Sequence, residues 1–134
     1  MRFVLTVAFG AAAFIGPALA RTTTSQVNFE YGRSEIVSWS ASGISTASAA
    51  ARACSNLRAV RVTGHTDARE SAEAINEGLD ELRSEATRDA LTAQGVSPDR
   101  ILLREVGAMQ PAFPSASGVS DPRNRRATIE VVCN

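Results

Sequence analysis

The sequence contains no lysine: all 14 basic side chains are arginine, and 14 acidic ones balance them to a formal net charge of zero. Without a net positive field, nothing in the global electrostatics recruits nucleic acid. One histidine and two widely separated cysteines are too few donors for an all-protein metal centre, and neither a metal nor a cofactor is expected. Serines are abundant, yet none stands in the Gly-x-Ser-x-Gly elbow that exposes a nucleophile. What is present fits a single domain: 134 residues, 44% hydrophobic and 21% charged, a globular composition with room for one core.

The first twenty residues read as a targeting segment. Arg2 supplies a positive start, Phe3 to Ile15 is almost wholly apolar, and Pro17-Ala18-Leu19-Ala20 ends in a small-x-small pattern. The run is too short for a membrane span and passes directly into polar Arg21-Thr22-Thr23-Thr24-Ser25. Residues 1–20 are therefore expected to be a signal peptide, 21–26 a flexible leader and 27–134 the folded domain, exported from the cytoplasm. Export places Cys54 and Cys133 in an oxidising compartment, where a disulfide between them is expected, two buried thiols being the alternative.

Within the domain, Val27 to Tyr31 alternates apolar and polar as a half-buried strand does, and Gly32 breaks it. Residues 41–54 place Ile44, Ala47, Ala51 and Cys54 at helical spacing, and Ala59 to Thr63 reads as a second strand. A long helix follows, with Ser71 as its cap, Ile75, Leu79, Leu82, Ala86 and Ala90 as its apolar stripe, and Gly95 as its stop. Ile101-Leu102-Leu103 is a third strand, the Gly- and Pro-rich residues 107–124 a loop, and Ala127 to Val132 a fourth strand. This order predicts an α+β sandwich of βαβαβ-β type, with two helices packed on one face of a mixed four-stranded sheet.

Polar chemistry concentrates in three places. Gly64-His65-Thr66-Asp67 sits just past the second strand, where function gathers in such folds. Asp67 could orient His65 as a base, but a nucleophile would have to come from elsewhere, so no catalytic residue is assigned. Asn76 and Arg83, seven residues apart, project at nearly the same angle from a continuous helix, and the planar fork of an arginine suits a carboxylate. Asn124-Arg125-Arg126 precedes the last strand.

Taken in this order, the pieces resemble the OmpA-like domain, the peptidoglycan-binding module of outer-membrane proteins, peptidoglycan-associated lipoproteins and flagellar motor stators. The resemblance runs over residues 26–133, through Val27-Asn28-Phe29-Glu30, Val62-Thr63-Gly64-His65-Thr66-Asp67, Asn76 to Arg83, Gly95 to Ile101, Gly107 with Pro111, and Asn124 to Glu130. It implies a non-catalytic module that binds the diaminopimelate residue of the wall's stem peptide. In that reading Asp67 and Arg83 hold the ammonium and carboxylate of the ligand's zwitterionic end. Thr66, Ala68, Arg69, Asn76 and Arg125 complete the pocket, and an envelope protein is a further candidate partner. The segment Asp67 to Asn76 departs from the family pattern: it lacks a glycine and is one residue longer. It also carries Glu70 and Glu73, which can compete for Arg83, and Ser120-Asp121-Pro122 replaces the usual Gly-Arg-Ala. These departures support the alternative, a diverged scaffold that has lost peptidoglycan and serves as a protein-interaction domain.

Overall fold

The computed structural model describes residues 19–134, so the expected signal peptide lies almost entirely outside the described residues. Among the described residues, four strands and three α-helices follow one another: β1 (Arg21–Asn28), α1 (Ser42–Ala53), β2 (Leu57–His65), α2 (Ala68–Ala72), α3 (Leu79–Ala93), β3 (Ile101–Gly107) and β4 (Arg126–Cys133). The sheet runs β1-β4-β2-β3, and β4 is antiparallel to both its neighbours. Only β2 and β3 are parallel, and they are the pair joined through helices, as a parallel crossover requires. The α+β architecture with a mixed sheet is thus the one predicted.

Side-chain alternation sets the faces. On β4, Ala127, Ile129 and Val131 are buried while Thr128 and Glu130 are partly exposed; on β2, Val60 and Val62 face the core and Arg61 faces water. Helix α1 lies over β1 and β4, and α3 lies over β2 and β3. Phe29, Ile44, Leu91 and Val96 fill the space between the layers. The disulfide forms: Cys54 at the end of α1 joins Cys133 at the end of β4, with a Cα–Cα distance of 5.9 Å.

Two expectations are corrected. Residues 21–26, expected to be a flexible leader, form most of β1, paired to β4 from Arg21↔Cys133 to Asn28↔Arg126. Three consecutive threonines suit a pleated edge strand, and the Ser25 hydroxyl donates to the Gly43 carbonyl of α1 at 2.9 Å. The long helix capped by Ser71 is instead α2, capped by Asp67, followed by a 3-10 turn at Ala74–Asn76 and then α3, which starts after Gly78 at φ 77°. The chain turns there because glycine enters the left-handed region without steric cost.

The apolar stripe changes accordingly. Ile75 is 90% exposed and Leu82 51%, while the buried residues of α3 are Leu79, Arg83, Ser84, Thr87 and Leu91. Arg83, which is no part of the expected apolar stripe, lies in the middle of the buried face. Gly95, with φ 94°, ends the helical segment as predicted.

Candidate functional site

Gly64 of the Gly-His-Thr-Asp segment is there for packing. A Cβ on it would lie 1.9 Å from the Asp80 carbonyl oxygen, so only glycine lets the first turn of α3 rest on β2. His65 is buried, with Nε2 3.4 Å from the Thr128 hydroxyl and Nδ1 without a partner. Burial, reinforced by the nearby Arg126 charge, pushes its pKa down to about 4, so the ring is neutral near pH 7. Its carbonyl accepts from Arg83. The Thr66 N–H donates to the Gly107 carbonyl at 3.0 Å, and its hydroxyl is buried without a partner.

Asp67 opens α2 through a reciprocal capping box. The Glu70 N–H donates to Asp67 Oδ1 at 2.7 Å, and the Asp67 N–H donates to Glu70 Oε1 at 3.0 Å. Arg83 meets the same Glu70 carboxylate side-on, Nη1 to Oε1 at 2.8 Å and Nη2 to Oε2 at 2.6 Å, with neither side chain exposed to solvent. The other three donors of Arg83 go to the carbonyls of Arg33, His65 and Glu30. All five N–H groups of the guanidinium are therefore engaged inside the protein. The remaining Glu70 oxygen capacity takes the Gly32 N–H at 2.8 Å.

Asp67 Oδ2 faces a second set of donors from the loop before β4. The Ser120 hydroxyl approaches at 2.8 Å, the Asp121 N–H at 3.2 Å and Arg125 Nη1 at 3.3 Å. Arg125 is held in turn by its Nε–H to the Phe29 carbonyl and by Nη1 to Ser120. Two carboxylates and two guanidiniums thus form one nearly buried, charge-balanced network: Asp67 with Arg125, Glu70 with Arg83, and a capping box between them.

The remaining predicted residues lie around this network. Ala68 and Arg69 begin α2; Arg69 binds Glu73 Oε1 at 3.1 Å and sits 5.2 Å above the Tyr31 ring. Thr66 and Asn76 border a separate cleft of about 400 Å³ that Glu73, Glu77 and Asp80 make acidic. Asn76, expected to share a helical face with Arg83, lies in the 3-10 turn before Gly78 and donates to Glu73 Oε2 at 3.3 Å. The break before α3 is what separates their directions. The Asn124-Arg125-Arg126 run divides by role. Asn124 clamps the long loop through both amide atoms to Phe113, Arg125 enters the network, and Arg126 donates to the Gln110 carbonyl.

Sequence reasoning left Ser120, Asp121 and Tyr31 out of the site; the first two were visible only as a departure from the usual Gly-Arg-Ala, and Tyr31 only as the end of an expected strand. Glu70 was visible as a competitor for Arg83, and its glycine-free segment was the clue. Among the described residues no group of three or more acidic, histidine or cysteine side chains could hold a metal ion, and no helix is long and apolar enough to cross a membrane.

A mixed sheet covered by helices on one face, with an aspartate-capped turn after β2 facing an arginine from the following helix, defines an OmpA-like domain. The chain belongs to the OmpA family, whose model matches residues 28–125. It is similar to outer membrane protein A of Bordetella avium, 31% identical over 77 residues that cover 58% of this chain and 39% of that protein. The chain therefore spans well under half the length of that relative. Among solved structures, it resembles the OmpA-like domain of FopA1 from Francisella tularensis, with TM-score 0.72 and 21% identity, covering 85% of this chain and 74% of that one. It also resembles the peptidoglycan-associated lipoprotein of Burkholderia pseudomallei, with TM-score 0.66 and 22% identity, covering 81% and 89%. At these identities the structural likeness speaks for the fold.

Proposed function

We propose that this domain is a non-catalytic module of the cell envelope that binds peptidoglycan non-covalently through the diaminopimelate residue of the stem peptide. One observation carries the reading: Arg83 holds a carboxylate side-on through two parallel hydrogen bonds, the backbone N–H of Asp67 donates to that same carboxylate, and the Asp67 side chain lies beside it as the anion. A free amino-acid end presents an ammonium and a carboxylate on one carbon and needs an anion and a cation side by side. Glu70 demonstrates the carboxylate geometry that Arg83 accepts. Binding is then an exchange, in which the ligand's carboxylate takes the place of Glu70 while its ammonium replaces Arg125 and Ser120 at Asp67. Ala68 and Arg69 lie beside the exchange at the start of α2, while Thr66 and Asn76 line the neighbouring acidic cleft. Periplasmic location after removal of residues 1–20 belongs to the same reading, and family membership and the wall-associated name of one structural relative support it.

A second reading is favoured by a specific observation: Arg83 has no free donor, and Glu70 is fully buried against it. In that reading the internal carboxylate replaces the ligand permanently, and the scaffold serves an envelope protein partner.

Co-sedimentation with diaminopimelate-type peptidoglycan separates the two, using the parent protein and Glu70→Ala, with free diaminopimelate as competitor and circular dichroism to verify folding. The parent is expected to pellet and to be released by free diaminopimelate. A parent that stays in the supernatant defeats the first reading. If Glu70→Ala alone pellets, the arginine site is competent but filled by the protein's own side chain.

A further inference from the structure

Trp39 is the only tryptophan of the chain, and it is 62% exposed. It stands in the 3-10 turn Ser38–Ser40, which is pinned rather than loose. The buried Ser40 hydroxyl donates to the Asn28 carbonyl and accepts from the Asn28 N–H, both at 2.7 Å. An indole exposed on a fixed backbone contributes little to the core, and the backbone entropy of holding it there is already lost. Beside it runs a groove of about 360 Å³, bordered by Asn28, Glu30, Pro122, Arg123 and Arg125.

The groove joins the site described above through Arg125, which lines it while bonding the Phe29 carbonyl and Asp67. Its charges are largely answered from within. Arg123 is paired with Asp121 at 2.8 Å and stacks 3.7 Å from the Phe113 ring, Arg125 faces Asp67, and Glu30 adds one carboxylate. A cavity of that balance suits an uncharged ligand with one apolar face and hydrogen-bonding edges. A pyranose ring has that form: its axial C–H groups lie flat on an aromatic face, while equatorial hydroxyl and acetamido groups meet amide and guanidinium donors at the rim.

We propose that the groove is a carbohydrate subsite in which an N-acetylated amino sugar of the glycan strand stacks on Trp39, with Asn28 and Arg123 at its edges. The identity of the polymer rests on the wall-binding reading: the stem peptide is covalently joined to the glycan, so a peptide end at Asp67 brings a sugar to the far side of Arg125.

The lone tryptophan makes the test direct. Titration with the trisaccharide of N-acetylglucosamine, which carries no peptide, should give a saturable change in tryptophan emission. Trp39→Ala should weaken co-sedimentation with peptidoglycan several-fold without changing the melting temperature, and Trp39→Phe should restore part of the binding. An emission spectrum indifferent to the trisaccharide, together with parental pelleting by Trp39→Ala, overturns the subsite and leaves the stem-peptide reading standing. A protein that ignores peptidoglycan but responds saturably to the trisaccharide keeps the subsite and defeats the stem-peptide reading. Emission that moves with protein concentration alone would assign the groove to a second copy of the chain and overturn the proposal.

Discussion

Arg83 sits in the core because every one of its donors finds an acceptor there. Burying a guanidinium and a carboxylate costs several kcal/mol in lost hydration, and the side-on pair with Glu70, three carbonyls and the Phe29 ring at 5.2 Å offset that cost. The pair is consequently vulnerable to losing one member. Arg83→Met should destabilise the domain by about 3–5 kcal/mol, because Glu70 would be left buried without its counter-charge. The double variant Arg83→Met/Glu70→Gln should recover part of that loss, giving a coupling above about 1 kcal/mol in a urea-denaturation cycle. Strict additivity would mean that the two side chains do not sense each other. The same reasoning changes how binding data on Arg83 or Asp67 variants are to be read, since both side chains hold structure as well as any ligand. Neither can be treated as a surface position whose removal leaves folding untouched.

At the scale of elements, the informative region lies between β2 and α3. Apolar residues at 75, 79, 82, 86 and 90 fall on one helical stripe, but the chain breaks after Asn76 and resumes at Leu79. Hydrophobic spacing registers only apolar faces, and the inward face of α3 carries Arg83, Ser84 and Thr87. The Thr87 and Ser84 hydroxyls donate to the carbonyls of Arg83 and Glu81, so they too are satisfied without water. By contrast, α1 and β4 were legible because apolar residues dominate their buried positions, Ile44, Ala47 and Ala51 in one and Ala127, Ile129 and Val131 in the other, with Ser48 and Arg126 as the polar exceptions. Close approach of β2 and α3 fixes one residue absolutely. Gly64→Ala must push Asp80 away from the strand and should cost about 1–3 kcal/mol, visible as a lower urea midpoint with an unchanged slope. A parental midpoint would show that the helix start moves freely.

At the scale of the whole molecule, the two ends of the described chain are tied into one edge. β1 pairs along its full length with β4, and Cys133, opposite Arg21, is bonded to Cys54 at the end of α1. The cysteines are 79 residues apart, so the cross-link restricts a large part of the unfolded chain. Removing it with the double variant Cys54→Ser/Cys133→Ser should cost about 4–5 kcal/mol in the chain-entropy model. Denaturant unfolding of the variant beside the parent measures this, and equal stability would mean that the unfolded state is already confined. The same edge accounts for the misread leader: threonine and serine do not announce a strand until a partner offers a ladder.

What the sequence by itself determined was the order of the four strands, the helix stop at Gly95 and the family, because each is written in local spacing or in a linear motif. Tertiary structure alone decided which carboxylate Arg83 meets. Glu70 and Glu73 are both candidates in the sequence, but only Glu70 is carried by the Asp67 cap into the same water-free space. It also decided that Asp67 faces Arg125 across 58 residues of chain. Such pairings depend on desolvation and on distances between elements, and neither is encoded by the separation of two residues along the sequence.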